Sequence, residues 1–190
     1  MNAVRANETL DKSTMPDHLS RIQRIPAFRR PKAVSDVLFD ASYSHQPGPT
    51  CYKCNVNRQK SRSRRESGEE VTVHYGTIAS GNQVIKNATK RNKISDALDG
   101  VLCFEMEAAG LMDTYPCLVI RGICDYADSH KNKQWQSYAA GTAAAYAKEL
   151  LKTIPAADVI ESRRAQESMR SRNSKCNRAA AVSCACILMS

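Results

Sequence analysis

Residues 117–124, CLVIRGIC, carry no polar side chain except Arg121, and this one run restricts the fold more than any other stretch. It is too short to span a bilayer as a helix and it does not alternate, so both of its faces must be covered, as in a central strand of a parallel sheet. GVLCF, residues 100–104, reads as a second buried strand, and the β-branched, alternating VTVHYGTIASG as a strand ending at Gly81. NQVIKNATKRNKISDAL between them has the character of a polar helix, and EMEAAGLMDTY that of a short one. The most regular pattern comes last. Trp135, Tyr138, Ala139, Thr142, Ala143, Tyr146, Ala147, Leu150, Leu151 and Ile154 recur at steps of three and four, one apolar stripe on an amphipathic helix. Gly141 costs that helix about 1 kcal/mol relative to alanine without breaking the pattern. Strands alternating with helices require right-handed crossovers and a mostly parallel sheet covered by helices, so the expected fold class is α/β.

A chain of 190 residues holds one domain with a proper core. The +9 charge suggests nucleic acid until it is located. Arg58 to Arg65, RQKSRSRR, holds five basic groups and no acid, and Glu161 to Ser190 holds six against two, which together make up the whole excess. The rest is neutral, so no specific nucleic-acid partner is expected, and the charge runs read as a solvated loop and a disordered tail. The expected organisation is a poorly structured segment 1–31, a domain 32–158 with a basic loop insertion at 44–70, and a disordered basic tail 159–190. MNAVRANETLDKSTMPDHLSR has no apolar signal core, and no apolar run is long enough for a membrane, so the eight cysteines read as free thiols of a cytoplasmic protein with no membrane partner.

Cys51 and Cys54 make a CxxC behind His45. A structural zinc site needs four ligands and no second cysteine pair lies nearby at the usual spacing. His45 and His74 could complete one, but a loop with two free cysteines is the simpler expectation, and neither a metal nor a cofactor is expected. The terminal AAAVSCACILMS fails as a prenylation box, because the fourth residue from the end is Ile187.

In open α/β sheets, ligands bind beyond the carboxyl ends of the strands. Asp125 follows CLVIRGIC, and Glu105 and Glu107 follow GVLCF, so these acids can face one crevice. HYGTIASGNQVI, FEMEAAG and VIRGICDYADSHK together resemble the second half of the purine and uridine phosphorylase superfamily, which includes the methylthioadenosine/S-adenosylhomocysteine nucleosidases. Residues 32–154 are similar to the nucleoside phosphorylase-like domains of filamentous-fungal proteins often joined to ankyrin repeats or NACHT modules. The resemblance implies a partial three-layer phosphorylase-like fold and cleavage of the N-glycosidic bond of a purine nucleoside, with phosphate or water as second substrate. It also implies roles. Asp125 becomes the acid that protonates purine N7 as the bond breaks, for which burial or a neighbouring negative charge must favour its protonated form. Glu107 accepts the ribose 2′ and 3′ hydroxyls, Met106 packs on the sugar, and Val84 and Ile85 line the base.

Each position also has an ordinary reading. Acids at 105 and 107 suit any helix N-terminus, Asp125 and Asp128 suit a capped loop, and a lone methionine suits a core. Occurrence in the family's order favours function for Asp125 and Glu107, and a structural role for Glu105, Asp128 and Arg121. Residues 1–70 show no counterpart of the family's first half, with its glycine-rich strand, phosphate-binding arginine and water-activating carboxylate. The N-terminal half is therefore expected to be missing, with weak or no activity and self-association of the chain. The alternative expectation is a non-catalytic nucleoside-sensing or oligomerisation module of a signalling protein.

Overall fold

A computed structural model describes residues 13–32, 36–62, 71–112, 117–131, 133–161 and 184–189, the last as backbone. The elements in chain order are α1 (Met15–Ile22), β1 (Leu38–Phe39), β2 (Gln59–Lys60), β3 (Val71–Gly76), β4 (Ile78–Ser80), α2 (Ala88–Ala97), β5 (Cys103–Glu105), α3 (Ala108–Met112), β6 (Ile120–Ile123), α4 (Gln136–Lys152) and β7 (Cys184–Met189). Helices and strands are mixed, in agreement with the α/β expectation.

The striped helix is the spine. Tyr138, Ala139, Thr142, Ala145, Tyr146 and Leu150 are buried along α4, facing β3 and β6 on one side and α1 on another. Gly122 shows how close the helix and sheet come: a Cβ there would strike the backbone carbonyl of Ala139, so only glycine admits this approach. The hydroxyls of Tyr75 on β3 and Tyr146 on α4 share a hydrogen bond of 2.8 Å across the interface.

Three expectations are corrected. The first is the sheet, which is neither single nor mostly parallel. β7 lies between β3 and β6, antiparallel to the former (Val71 opposite Met189) and parallel to the latter (Ile120 opposite Ala185). β4 and β5 form a separate parallel pair, and β1 and β2 an antiparallel one. Thr77 interrupts the expected single strand, so VTVHYG and IAS enter different sheets.

The second is the tail. Residues 184–189, expected to be disordered, are the middle strand of the three-stranded sheet. The physical reason lies in the composition of CACILM, which is apolar and follows a strongly basic segment that dominates the average of the tail. The expected disorder of residues 162–183 lies outside the described residues.

The third is the described part of the segment 1–31, residues 13–31. α1 forms because Pro16 starts it with a preset φ, Asp17 favours its positive end, and Met15, His18, Leu19 and Ile22 share a face. Its start is fastened to α4 by buried Glu149, which accepts from the Ser13 hydroxyl at 3.0 Å and from the Thr14 amide at 3.1 Å. Of the insertion 44–70, residues 44–62 form tight turns and β2, and 63–70 lie outside the described residues.

Candidate active site

The two parallel pairings that involve β5 and β6 end near one another, and their following loops carry the acids. After β5 the chain turns sharply into α3, and Glu105 makes the turn. Its buried carboxylate accepts the amides of Glu107 and Ala108, both at 2.9 Å, capping α3. Burial opposes its ionisation, but the Ser80 hydroxyl and the two amides outweigh that, and the carboxyl is held below its ordinary value. Glu105 thus caps the helix start, the ordinary reading of an acid at this position, and it also lines the cavity described below.

Glu107 points the other way. It is 68% exposed, and its Oε2 accepts from the Arg121 guanidinium at 2.9 Å and from the Met106 amide at 3.2 Å. Arg121 also stands 3.6 Å from Glu105, so one cation of β6 links both acids of the β5 turn. This is a role in the site for a residue that the sequence marked as structural; its signal was a lone charge within an apolar strand.

Asp125 lies two residues beyond β6. Its Oδ1 accepts the Ala127 amide at 2.9 Å, and both oxygens lie 2.9 Å from the Lys131 ammonium. Ala127 holds a left-handed φ of 51°, uncommon for a residue with a side chain, so the loop carries strain of about 1 kcal/mol in presenting that amide. The expected neighbour of Asp125 was a second negative charge or an apolar wall. The structure provides a cation instead, and in this arrangement Asp125 is an ion-paired carboxylate with a side chain 20% exposed. Asp128, 3% exposed, accepts the His130 amide at 2.8 Å and so holds the loop, as the sequence suggested.

Val84 and Ile85 precede α2 in an irregular stretch, and not in the longer helix expected. Asn87 ends that stretch by capping the helix, its side chain accepting the Lys90 amide at 2.8 Å. Ile85 is buried and Val84 exposed. Arg91 on α2 donates to the Tyr126 carbonyl at 2.6 Å and pins the Asp125 loop.

Val84, Ile85, Met106, Glu107 and Asp125 all line one cavity of about 440 Å³. Its size suits a small organic ligand. Arg91, Arg121 and Lys131 line it too, and none of these cations was expected there. The arrangement offers an apolar wall together with the carboxylates of Glu107 and Asp125, each with a basic residue against it. Such a cavity can receive an uncharged heterocycle on Val84 and Ile85 while the carboxylates accept hydroxyl or ring N–H groups. Among the described residues no helix is long and apolar enough to cross a membrane.

No protein-family model matches the chain, and no solved structure does. Among curated proteins, it is 47% identical over 124 residues to a nucleotide-binding leucine-rich repeat (NLR)-like protein of Hyaloscypha variabilis, a match covering 65% of this chain and 12% of that protein. It is 26% identical over 159 residues to a 5′-methylthioadenosine/S-adenosylhomocysteine nucleosidase of an Exiguobacterium species, covering 73% of this chain and 68% of the enzyme. To the ATP nucleosidase Cap17 of Escherichia coli it is 34% identical over 79 residues, covering 39% of this chain and 16% of Cap17. The chain thus spans only a small part of the NLR-like protein and of Cap17.

Proposed function

Because this chain is related to the nucleoside phosphorylase/nucleosidase-like superfamily, we propose that its cavity binds a purine nucleoside and serves hydrolysis of the N-glycosidic bond, in a cytoplasmic setting. The observation that carries the reading is the convergence of Asp125, Glu107, Met106, Val84 and Ile85 on one cavity. In this reading the base lies on Val84 and Ile85, the sugar on Met106, and the ribose hydroxyls donate to Glu107. Asp125, once it has taken up a proton, passes it to N7 as the bond between the sugar and N9 breaks, so the electrons enter a neutral base; water adds to the sugar carbon, and the proton it sheds returns to the Asp125 carboxylate. A pyrimidine has no N7, and an acid at this position therefore favours purines. Lys131 has to release Asp125 for the proton to be delivered, since it occupies both oxygens.

That ion pair, together with the Glu107–Arg121 pair, favours a second reading. Both key carboxylates are already neutralised by neighbouring cations, which suits a module that binds a nucleoside without cleaving it.

Base release from purine and pyrimidine nucleosides, measured beside calorimetric binding, separates the two. Under the enzymatic reading adenosine-like substrates turn over and uridine does not. Asp125→Asn lowers turnover by about two to four powers of ten, the range of a lost general acid, and leaves binding nearly intact. Glu107→Gln weakens binding as well as rate. Full turnover in Asp125→Asn or a preference for uridine overturns the mechanism, and binding without turnover in the unaltered chain establishes the second reading.

A further inference from the structure

Behind the Asp125 loop, outside the cavity, the turn-rich segment before β2 folds three potential ligands together. Residues 44–50 bring His45 back over a short 3-10 turn, Cys51–Lys53, whose end is fixed by the Cys54 amide donating to the Cys51 carbonyl at 3.0 Å. The ligand atoms of His45, Cys51 and Cys54 all lie within 4.8 Å of one another, with Cys54 buried and the other two half-buried. A tetrahedral zinc, at about 2.3 Å from sulfur and about 2.0 Å from nitrogen, places its ligand atoms roughly 3.5 Å apart, so binding the ion draws these atoms closer together. His74, the other histidine considered from the sequence, sits on β3 and is not part of this group.

His130 is the independent observation. Its Nδ1 faces Asp128 Oδ2 at 3.7 Å and Ser129 Oγ at 3.4 Å, while its Nε2 is buried and has no hydrogen-bond partner among the described residues. The ring is stacked on Phe39 at 4.0 Å and meets the His45 ring edge-on at 5.5 Å. A carboxylate against one ring nitrogen, with the other left bare, is how proteins orient a histidine toward a metal.

We propose that His45, Cys51 and Cys54 bind a zinc ion, with His130, which stands outside that group of three but whose ring meets the His45 ring, as the candidate for the fourth position. Two thiolates and imidazole nitrogen in a compact tetrahedral set select zinc over the oxygen-seeking cations. The ion is structural. His45 already donates its amide to Ser129 Oγ at 3.0 Å, so a metal here clamps the insertion to the loop that begins at Asp125. It replaces the simpler expectation of two unassociated thiols, and it stands whether or not the cavity cleaves a nucleoside.

The test uses the whole chain, purified reduced. Metal analysis and titration with zinc are expected to give one ion per chain, and cobalt substitution a thiolate charge-transfer band. Cys51→Ser and Cys54→Ser are each expected to weaken zinc at least about a hundredfold, and His130→Gln about 10–100-fold. Because a variant can fail by unfolding, the unaltered chain is also alkylated with and without zinc, and the modified cysteines are located by mass spectrometry. Protection of Cys51 and Cys54 but not of Cys117 supports the site. Equal alkylation with and without zinc, or a Cys51–Cys54 disulfide that forms equally fast in zinc, overturns it.

Discussion

Glu105 and Glu107 stand two residues apart and have opposite fates, because the chain turns between them. The first faces inward and spends its charge on amides; the second faces the cavity and meets Arg121. Arg121→Met tests that division. Its pairing with Glu107 is exposed and contributes little, but Arg121 also stands 3.6 Å from the buried Glu105 carboxylate, so stability should fall by about 1–3 kcal/mol in chemical denaturation. Under the proposed function, nucleoside affinity should fall as well, because Glu107 loses the group that orients it. His18 is one source of the acid sensitivity of the fold. Burial first, then Lys152 and Lys148, and to a smaller degree Arg21, lower its pKa below 6.5, against a smaller opposing effect of Glu149. The folded state thus binds this proton less readily than the unfolded one. The stability it protects is complete above about pH 6.5 and declines as pH falls toward the lowered folded value. Glu105 works the same way at lower pH: its contribution is present above about 4.5 and is lost as pH falls through its depressed folded value. Melting temperatures from pH 7.5 to 5 should therefore fall in the unaltered chain and fall less in His18→Gln.

Among the elements, α4 was legible because its stripe is long enough to outweigh Gly141, and β6 because a run without alternation has few other uses. The five cavity positions were legible only through their order along the chain; taken singly, each had an ordinary explanation. Their cationic partners were not legible, since no pattern in sequence says that Lys131 folds back on Asp125 or that Arg121 reaches across to the β5 turn. α1 escaped because eight residues give two turns of periodicity, although Thr14, Pro16 and Asp17 together formed a helix-start signal. The contact between β6 and α4 makes the sharpest test at this scale. Gly122→Ala forces a methyl into the Ala139 carbonyl and should cost about 1–3 kcal/mol in denaturant unfolding. Gly81→Ala, where a Cβ meets nothing within 4 Å, should cost far less.

At the scale of the whole molecule, the three-stranded sheet depends on β7. Among the described residues β3 and β6 are not hydrogen-bonded to each other, and each is paired only with the strand between them. That arrangement was hidden in the sequence because a strand's neighbours are fixed by long-range pairing and not by its own composition. Ending the chain at residue 183 leaves two edges bare, and exposed edges pair with other chains. Such a variant should bind a hydrophobic dye and sediment as oligomers, whereas removal of Ser190 alone should change neither.

The place of β7 also bears on how the protein comes to be made. A ribosome completes β3 and β6 well before residues 184–189 leave the exit tunnel, and α4 emerges between them. For that interval the nascent chain holds a formed helix against two strands that cannot yet pair, with the gap between them open to any extended peptide. Pairings so distant in sequence close slowly, and the interval is one in which a cell's holdases have a defined client and a defined time to release it.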